Sequence, residues 1–189
     1  DLSSRFHPDH RGGYFPSVSA AWRISEETFM RRTRSWLDNL KFRLSYGTLG
    51  NQYTSSLYPY MATIEPTTSI MPIGGSITSA MRQNSASNRY ITWETIKMTN
   101  LGLDMGLFNN KLNMSFDYFI KDTDDILLRV ELPGVLGVTE PYQNAGKVRN
   151  KGWELALSWK DKIGKNFTYG VDFNLSDVKN EVVSMGNTA

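Results

Sequence analysis

No cysteine occurs in the 189 residues, which excludes a disulfide scaffold, a thiolate metal site and a cysteine nucleophile. Histidine is almost as scarce: His7 and His10 are the only two. With no Gly-x-Ser-x-Gly elbow and no phosphate-binding glycine loop, no nucleophile-and-base set can be assembled, and enzyme activity is not expected. No run approaches the roughly 18 apolar residues of a transmembrane helix, so any membrane role must use strands. Charge of one sign is missing too, since 21 basic residues face 19 acidic ones for a net charge of +2, too mild a balance to indicate nucleic acid. The first residues, Asp1 to Arg5, carry neither an initiator Met nor an apolar leader, and Val182 to Ala189 trail into a turn-like sequence. Both ends read as cut points in a longer chain.

What is present is alternation. Leu112, Met114, Phe116, Tyr118 and Ile120 alternate with Asn113, Ser115, Asp117 and Lys121, and only Phe119 breaks the polar side. A period of two places successive side chains on opposite faces of a strand, here in two different environments. Five further segments repeat the pattern, each named by its apolar members: Val18 to Ile24, Phe42 to Tyr46, Leu101 to Leu107, Trp153 to Trp159 and Phe167 to Leu175. Six antiparallel strands are predicted.

The connections alternate between short and long. Asn109-Asn110 reads as a tight hairpin turn, where Asn tolerates the positive φ of primed turns. Asp161 to Asn166, with Gly164, reads the same way. Between the first two strands, Ser25 followed by Glu26, Glu27 and Thr28 suggests a short capped helix. Gly50 to about Tyr90 and Asp122 to about Lys151 read as long loops. Long structureless loops argue against a compact soluble domain, but short turns on one rim and long loops on the other suit a transmembrane barrel. Trp22, Phe108, Trp159 and Phe167 lie near the short turns, and Tyr46, Tyr118 and Trp153 toward the long loops, as aromatic girdles would. The alternative is a soluble all-β carbohydrate-binding or adhesion module whose apolar faces pack on a second sheet.

Specific strings carry a family resemblance. YFPSVSAAWRISEE from Tyr14 to Glu27, LDNLKFRLSYGTLGNQ from Leu37 to Gln52, Trp93-Glu94, NLGLDMGLFNN from Asn100 to Asn110, Asp117-Tyr118-Phe119, Asp122 to Leu128, NAGKVRNKGWEL from Asn144 to Leu155 and FNLS from Phe173 to Ser176 together resemble the barrel of SusC/RagA-type TonB-linked outer-membrane transporters. The resemblance implies an all-β fold, an antiparallel transmembrane β-barrel of about 22 strands, of which residues 1–189 supply six as a partial barrel domain. The family's plug domain and TonB-contacting box match nothing here, and Ala189 is not the terminal aromatic of a finished barrel. The implied role is import of nutrients, glycans foremost and peptides otherwise, across the outer membrane of a Gram-negative bacterium of the Bacteroidota. The implied partners are a SusD-like surface lipoprotein, TonB of the inner-membrane energising complex and outer-membrane lipid, with no nucleic acid and no cofactor.

On this reading Arg43, Asp104, Asp117, Glu154, Lys160 and Asp172 face the lumen, and the loop aromatics Tyr53, Tyr58, Tyr60, Tyr90, Trp93 and Tyr142 are placed to stack on sugar or touch the lid. Metal sites are not expected. His7 and His10 lack a third ligand, and Asp122, Asp124 and Asp125 resemble only half of a calcium loop. Arg31, Arg32 and Arg34 form one basic cluster, in a short connection. Three glycosylation-like triplets, beginning at Asn113, Asn166 and Asn174, lie in or beside strands and read as chance.

Overall fold

The computed structural model describes residues 1–73 and 76–185, with 67–73 and 76–80 described by backbone alone. The last residues of the tail, Gly186 to Ala189, lie outside the described residues. Among the described residues there are eight strands: β1 (Ser17–Arg23), β2 (Leu37–Asn51), β3 (Ile64–Ile73), β4 (Ser76–Gln83), β5 (Glu94–Leu107), β6 (Leu112–Arg129), β7 (Tyr142–Ile163) and β8 (Phe167–Ser184). Six of them form one antiparallel sheet in the order β1-β2-β5-β6-β7-β8, while β3 and β4 form a separate two-stranded sheet. All six predicted strands are found, each beside its neighbour in sequence apart from the inserted β3–β4 hairpin. Among the described residues the sheet does not close on itself, and β1 and β8 are its edges.

The short turns follow from local chemistry. Phe108, Asn109 and Asn110 all take positive φ, at 57°, 58° and 58°, which lets β5 reverse into β6. At the β7–β8 turn Gly164 supplies φ of 67°. Between β1 and β2 the sequence predicts a short helix capped by Ser25, and the structure keeps the helical turns but corrects the cap. The segment forms two 3-10 helices, Ile24–Glu26 and Thr28–Thr33, and Ser25 lies inside the first, buried, with no partner for its hydroxyl. The wound segment is too short to repay an α-helical nucleus.

Both long connections are more ordered than predicted. Gly50 to Tyr90 contains the β3–β4 hairpin, and Asp122 to Lys151 is mostly strand, with β6 running on to Arg129 and β7 beginning at Tyr142. Val182 to Ser184, read from sequence as part of a turn, belongs to β8.

Among the described residues no second sheet covers the apolar face. Trp22 is 50% exposed, Leu101 40% and Phe173 51%, values that a sandwich core would not leave. The buried residues that cluster are instead among the long loops, where Phe6, Ile91, Trp93 and Leu127 pack together with Phe15, Tyr60 and Tyr142 against them. This small core ties the N-terminal segment to the ends of β5, β6 and β7.

Candidate functional site

In an antiparallel pair, residues directly opposite each other share a face, so the register sorts every side chain. Arg43, Gly102, Asp117, Glu154 and Ser176 form one transverse row across β2, β5, β6, β7 and β8. The next row toward the short turns is Lys41, Asp104, Ser115, Ala156 and Asn174, and the one after it Asn39, Gly106, Asn113, Ser158 and Asp172. Lys160 follows, opposite Gly170. All six residues predicted to line the lumen therefore lie on one polar face. The opposite face carries rows such as Trp22, Phe42, Leu103, Phe116, Leu155 and Leu175.

The structure brings three of the six together. Arg43 donates from Nε and Nη2 to the two carboxylate oxygens of Asp104 at 2.8 and 2.9 Å, and from Nη2 to Asp117 at 3.0 Å. Ser115 donates to Asp104 at 3.1 Å. Arg43 thus spans three strands, and Gly102 makes that reach available: a Cβ there would lie 2.6 Å from the Arg43 guanidinium carbon and 2.8 Å from Asp117 Oδ1. Sequence reasoning named these residues singly and missed their union, because only register shows that Gly102 lies between Arg43 and Asp117. Glu154, Lys160 and Asp172 stand apart, with no ion pair among the described residues. Phe119, the one apolar residue on the polar side of its strand, covers Gly152, whose added Cβ would lie 3.0 Å from the ring. The exception is a glycine-filling contact.

Farther toward the long loops, beyond Tyr46, Thr99 and Ile120, the two faces exchange character. On what had been the apolar face, Thr48, Lys97, Asp122, Arg149 and Glu181 form a row whose charges alternate in sign. Arg149 grips Asp122 with two bonds of 2.6 and 2.8 Å, and Asp124 holds Lys97 at 2.9 Å and Lys147 at 2.8 Å. The Arg149 guanidinium holds the Asp122 carboxyl below the usual carboxylate range. On what had been the polar face stand Leu49, Ile96, Thr123, Val148 and Val182. On β5 and β6 this row is where charge first appears on that face, whereas on β7 and β8 Lys151, Asp177 and Lys179 already stand on it nearer the short turns.

The loop aromatics divide. Tyr53, Tyr58 and Tyr90 are exposed. Tyr60 packs edge-on against His7 and Tyr58. Tyr142 lies under the Arg129 guanidinium at 5.2 Å and shares a 2.7 Å hydrogen bond with Ser55, a contact that draws the phenol below its ordinary value. Trp93 is placed differently from the expectation of a stacking residue: it is only 8% exposed, wedged between Phe6 and Phe15, and its indole donates to the Arg11 carbonyl at 3.0 Å. It is a packing residue of the loop core.

Among the described residues no group of three or more His, Asp or Glu side chains is arranged to hold a metal. Asp122 and Asp124 are engaged by cations, and Asp125 sits in a bulge at φ 58° with its carbonyl bonded to Asn144. His7 contacts Asp9 at 3.2 Å and Arg89 at 2.9 Å. In the basic cluster, Arg34 pairs with Glu26.

Comparison with known proteins agrees with this geometry. The profile of the family described as TonB dependent receptor-like, beta-barrel, matches residues 2–188. TonB-dependent receptor P3 of Formosa agariphila is 33% identical over 98% of the chain, and TonB-dependent receptor SusC of Bacteroides thetaiotaomicron is 32% identical over 98%. The chain spans 18% of the length of each. Among solved structures, the RagAB peptide importer in its closed-closed state superposes with a TM-score of 0.87 at 26% identity, over 100% of this chain and 20% of that one.

Proposed function

Because the chain belongs to the TonB-dependent receptor-like β-barrel family, we propose that it is a section of wall in an outer-membrane importer of a Gram-negative bacterium, taking up oligosaccharides too large for passive pores. Members of this family are transporters rather than enzymes, in keeping with a chain that offers no catalytic set. One observation carries the reading: a single sheet presents an uncovered apolar belt on one face and a polar, internally paired wall on the other, and exchanges the two where the strands pass Tyr46, Thr99 and Ile120. Lipid on one side and a hydrated lumen on the other account for both faces.

In this reading Arg43, Asp104, Asp117, Glu154, Lys160 and Asp172 line the lumen. The long-loop end faces the cell exterior, where Tyr53, Tyr58 and Tyr90 are exposed to stack on sugar rings or on a SusD-like lipoprotein lid. TonB of the inner membrane supplies the energy through parts of the receptor outside this chain. A peptide cargo is the second reading. It is favoured by the aliphatic side chains Leu49, Ile96, Val148 and Val182 on the inner face of the mouth and by the likeness to a protein described as a peptide importer.

The test is uptake of labelled neutral oligosaccharides and labelled oligopeptides by cells with and without the full-length protein. Oligosaccharide uptake that disappears with the protein, and equally when the proton gradient is dissipated, supports the first reading. Loss of peptide uptake alone moves the assignment to the second, and loss of neither refutes import.

A further inference from the structure

The basic cluster lies in the β1–β2 connection, at the short-turn end of the sheet. β1 ends at Arg23, opposite Lys41, whereas β2 starts at Leu37, so residues 24–36 turn back beside the first residues of β2. The first 3-10 helix packs on that strand. Two contacts hold the segment at the border of the apolar face. Trp22, which belongs to that face, donates from Nε1 to Glu27 Oε1 at 2.9 Å, and the Trp36 carbonyl accepts from the Phe108 backbone N–H at 2.9 Å. A carboxylate held there marks the level where hydrocarbon gives way to polar surroundings.

The exposed side chains of this segment are of two kinds. Phe29 is 65% exposed, and Trp22, Trp36 and Phe108 are each about half open. Arg31, Arg32 and Arg34 are exposed as well. Arg34 is engaged by Glu26 at 3.2 Å, but Arg31 and Arg32 make no ion pair and no side-chain hydrogen bond among the described residues. Arg23, Arg31, Arg32 and Arg34 outnumber Glu26 and Glu27, so the charge left over is positive. Aromatic rings favour a level with hydrocarbon on one side and water on the other. A free guanidinium beside them favours an oxyanion, and its planar fork fits a phosphate with two bonds. A lipid headgroup phosphate whose acyl chains continue onto the apolar belt meets both demands. A soluble anion would leave Phe29 and Trp36 in water, and a water-borne protein has no access to the belt into which the patch runs through Trp22. Two free arginines carry more charge than a zwitterionic headgroup balances, which favours a lipid of net negative charge.

We propose that residues 24–36 are an interfacial anchor for an anionic phospholipid of the leaflet at the short-turn end, with Arg31 and Arg32 on its phosphate and Phe29 and Trp36 among the upper acyl carbons. The proposal rests on the lipid-facing assignment of the apolar face and is independent of the cargo.

The test uses the full-length protein in phosphatidylcholine vesicles that contain a trace of one of two probes, a phosphatidylglycerol or a phosphatidylcholine with a photoreactive group high on one acyl chain. Mass spectrometry locates the cross-linked peptides. For residues 24–36, labelling by the phosphatidylglycerol is expected to exceed labelling by the phosphatidylcholine about fivefold for each arginine engaged. Arg31→Gln with Arg32→Gln should bring the ratio close to one, while labelling of the belt around Leu103 and Phe116 stays as it was and shows that the variant is folded. Equal labelling of residues 24–36 by both probes in the unaltered protein overturns the anionic site. A preference that survives the double substitution overturns it too, because other groups then hold the headgroup. A labelled belt with residues 24–36 unlabelled overturns the anchor in favour of a water-borne protein partner and leaves the lipid-facing reading standing. If the belt itself is unlabelled, the lipid-facing reading falls and the anchor with it.

Discussion

Replacing Leu103 by arginine tests the lipid-facing assignment with a number attached. Strands rise about 3.4 Å per residue and tilt about 40° in barrels of this type, so each residue gains about 2.6 Å of depth. On β5, Leu107 lies at the short-turn end and Lys97 is the first charged residue on the same face. The distance between them is then about 26 Å, close to the apolar band of a barrel at about 25 Å. Leu103 lies about 10 Å from one edge and about 16 Å from the other, near the middle. An arginine there should cost about 2–4 kcal/mol, whereas one at Thr99, about 5 Å below the Lys97 level, should cost about 0–1 kcal/mol. In population terms the central substitution shifts folding about 30-fold to 900-fold. Denaturant titration of the full-length protein in phospholipid vesicles, followed by tryptophan fluorescence, measures both. Equal costs at Leu103 and Thr99 would refute the depth argument, and a cost at Leu103 well above this range would point to a dry protein core instead.

Other consequences follow from the same geometry. Arg43→Met should destabilise the wall by about 2 kcal/mol through loss of charge-assisted hydrogen bonds, and Gly102→Ala should reproduce part of that loss while keeping every charge, as read by thermal unfolding; a Gly102→Ala protein as stable as its parent would show that Arg43 does not need the gap. Asp122 has a lowered folded pKa, so its contribution is present above the unfolded value of about 3.9 and fades as pH falls through the lower folded value. The thermal stabilities of the parent and of Asp122→Asn should therefore differ at neutral pH and converge in acid, and a gap that persists at low pH contradicts the ion pair. Trp93→Ala should cost about 3–5 kcal/mol of stability as a buried large-to-small change without altering oligosaccharide affinity per folded molecule. Tyr53→Ala, Tyr58→Ala and Tyr90→Ala together should do the reverse, as calorimetry on the full-length protein would show.

The legible parts of the fold were those where one solvent holds for the whole strand. Leu112 to Ile120 alternates cleanly because its two faces meet different environments, lipid and water on the proposed reading, and β5, β7 and β8 show the same pattern over their short-turn halves. At Lys121-Asp122 two polar residues fall in succession, which reads as the end of a strand but is the point where the faces exchange. The outer halves of β6 and β7 were hidden for that reason. The β3–β4 hairpin was masked by Pro66, Pro72 and a Ser/Thr-rich stretch that blurs any period of two. At the site, parity alone placed Arg43, Asp104 and Asp117 on one face. Their clamp depends on cross-strand register, which no single strand encodes. Trp93 shows the opposite limit: its sequence context places it in a loop, and only the arrival of Phe6 and Phe15 from a distant segment reveals that it is enclosed.

The exchange of faces also has a mechanical meaning. A receptor drawn upon from one side of a membrane is subject to a force along its axis, and a smooth apolar belt would let the wall sink. Here Lys97, Asp122, Arg149 and Glu181, joined on β7 and β8 by Lys151, Asp177 and Lys179 nearer the short turns, form a charged border to the belt. Sinking by two residues, about 5 Å at the usual tilt, would push that row into hydrocarbon, with a penalty at each charged position that grows with depth. In the proposed importer this border would act as a flange, holding the wall at one height against an axial pull.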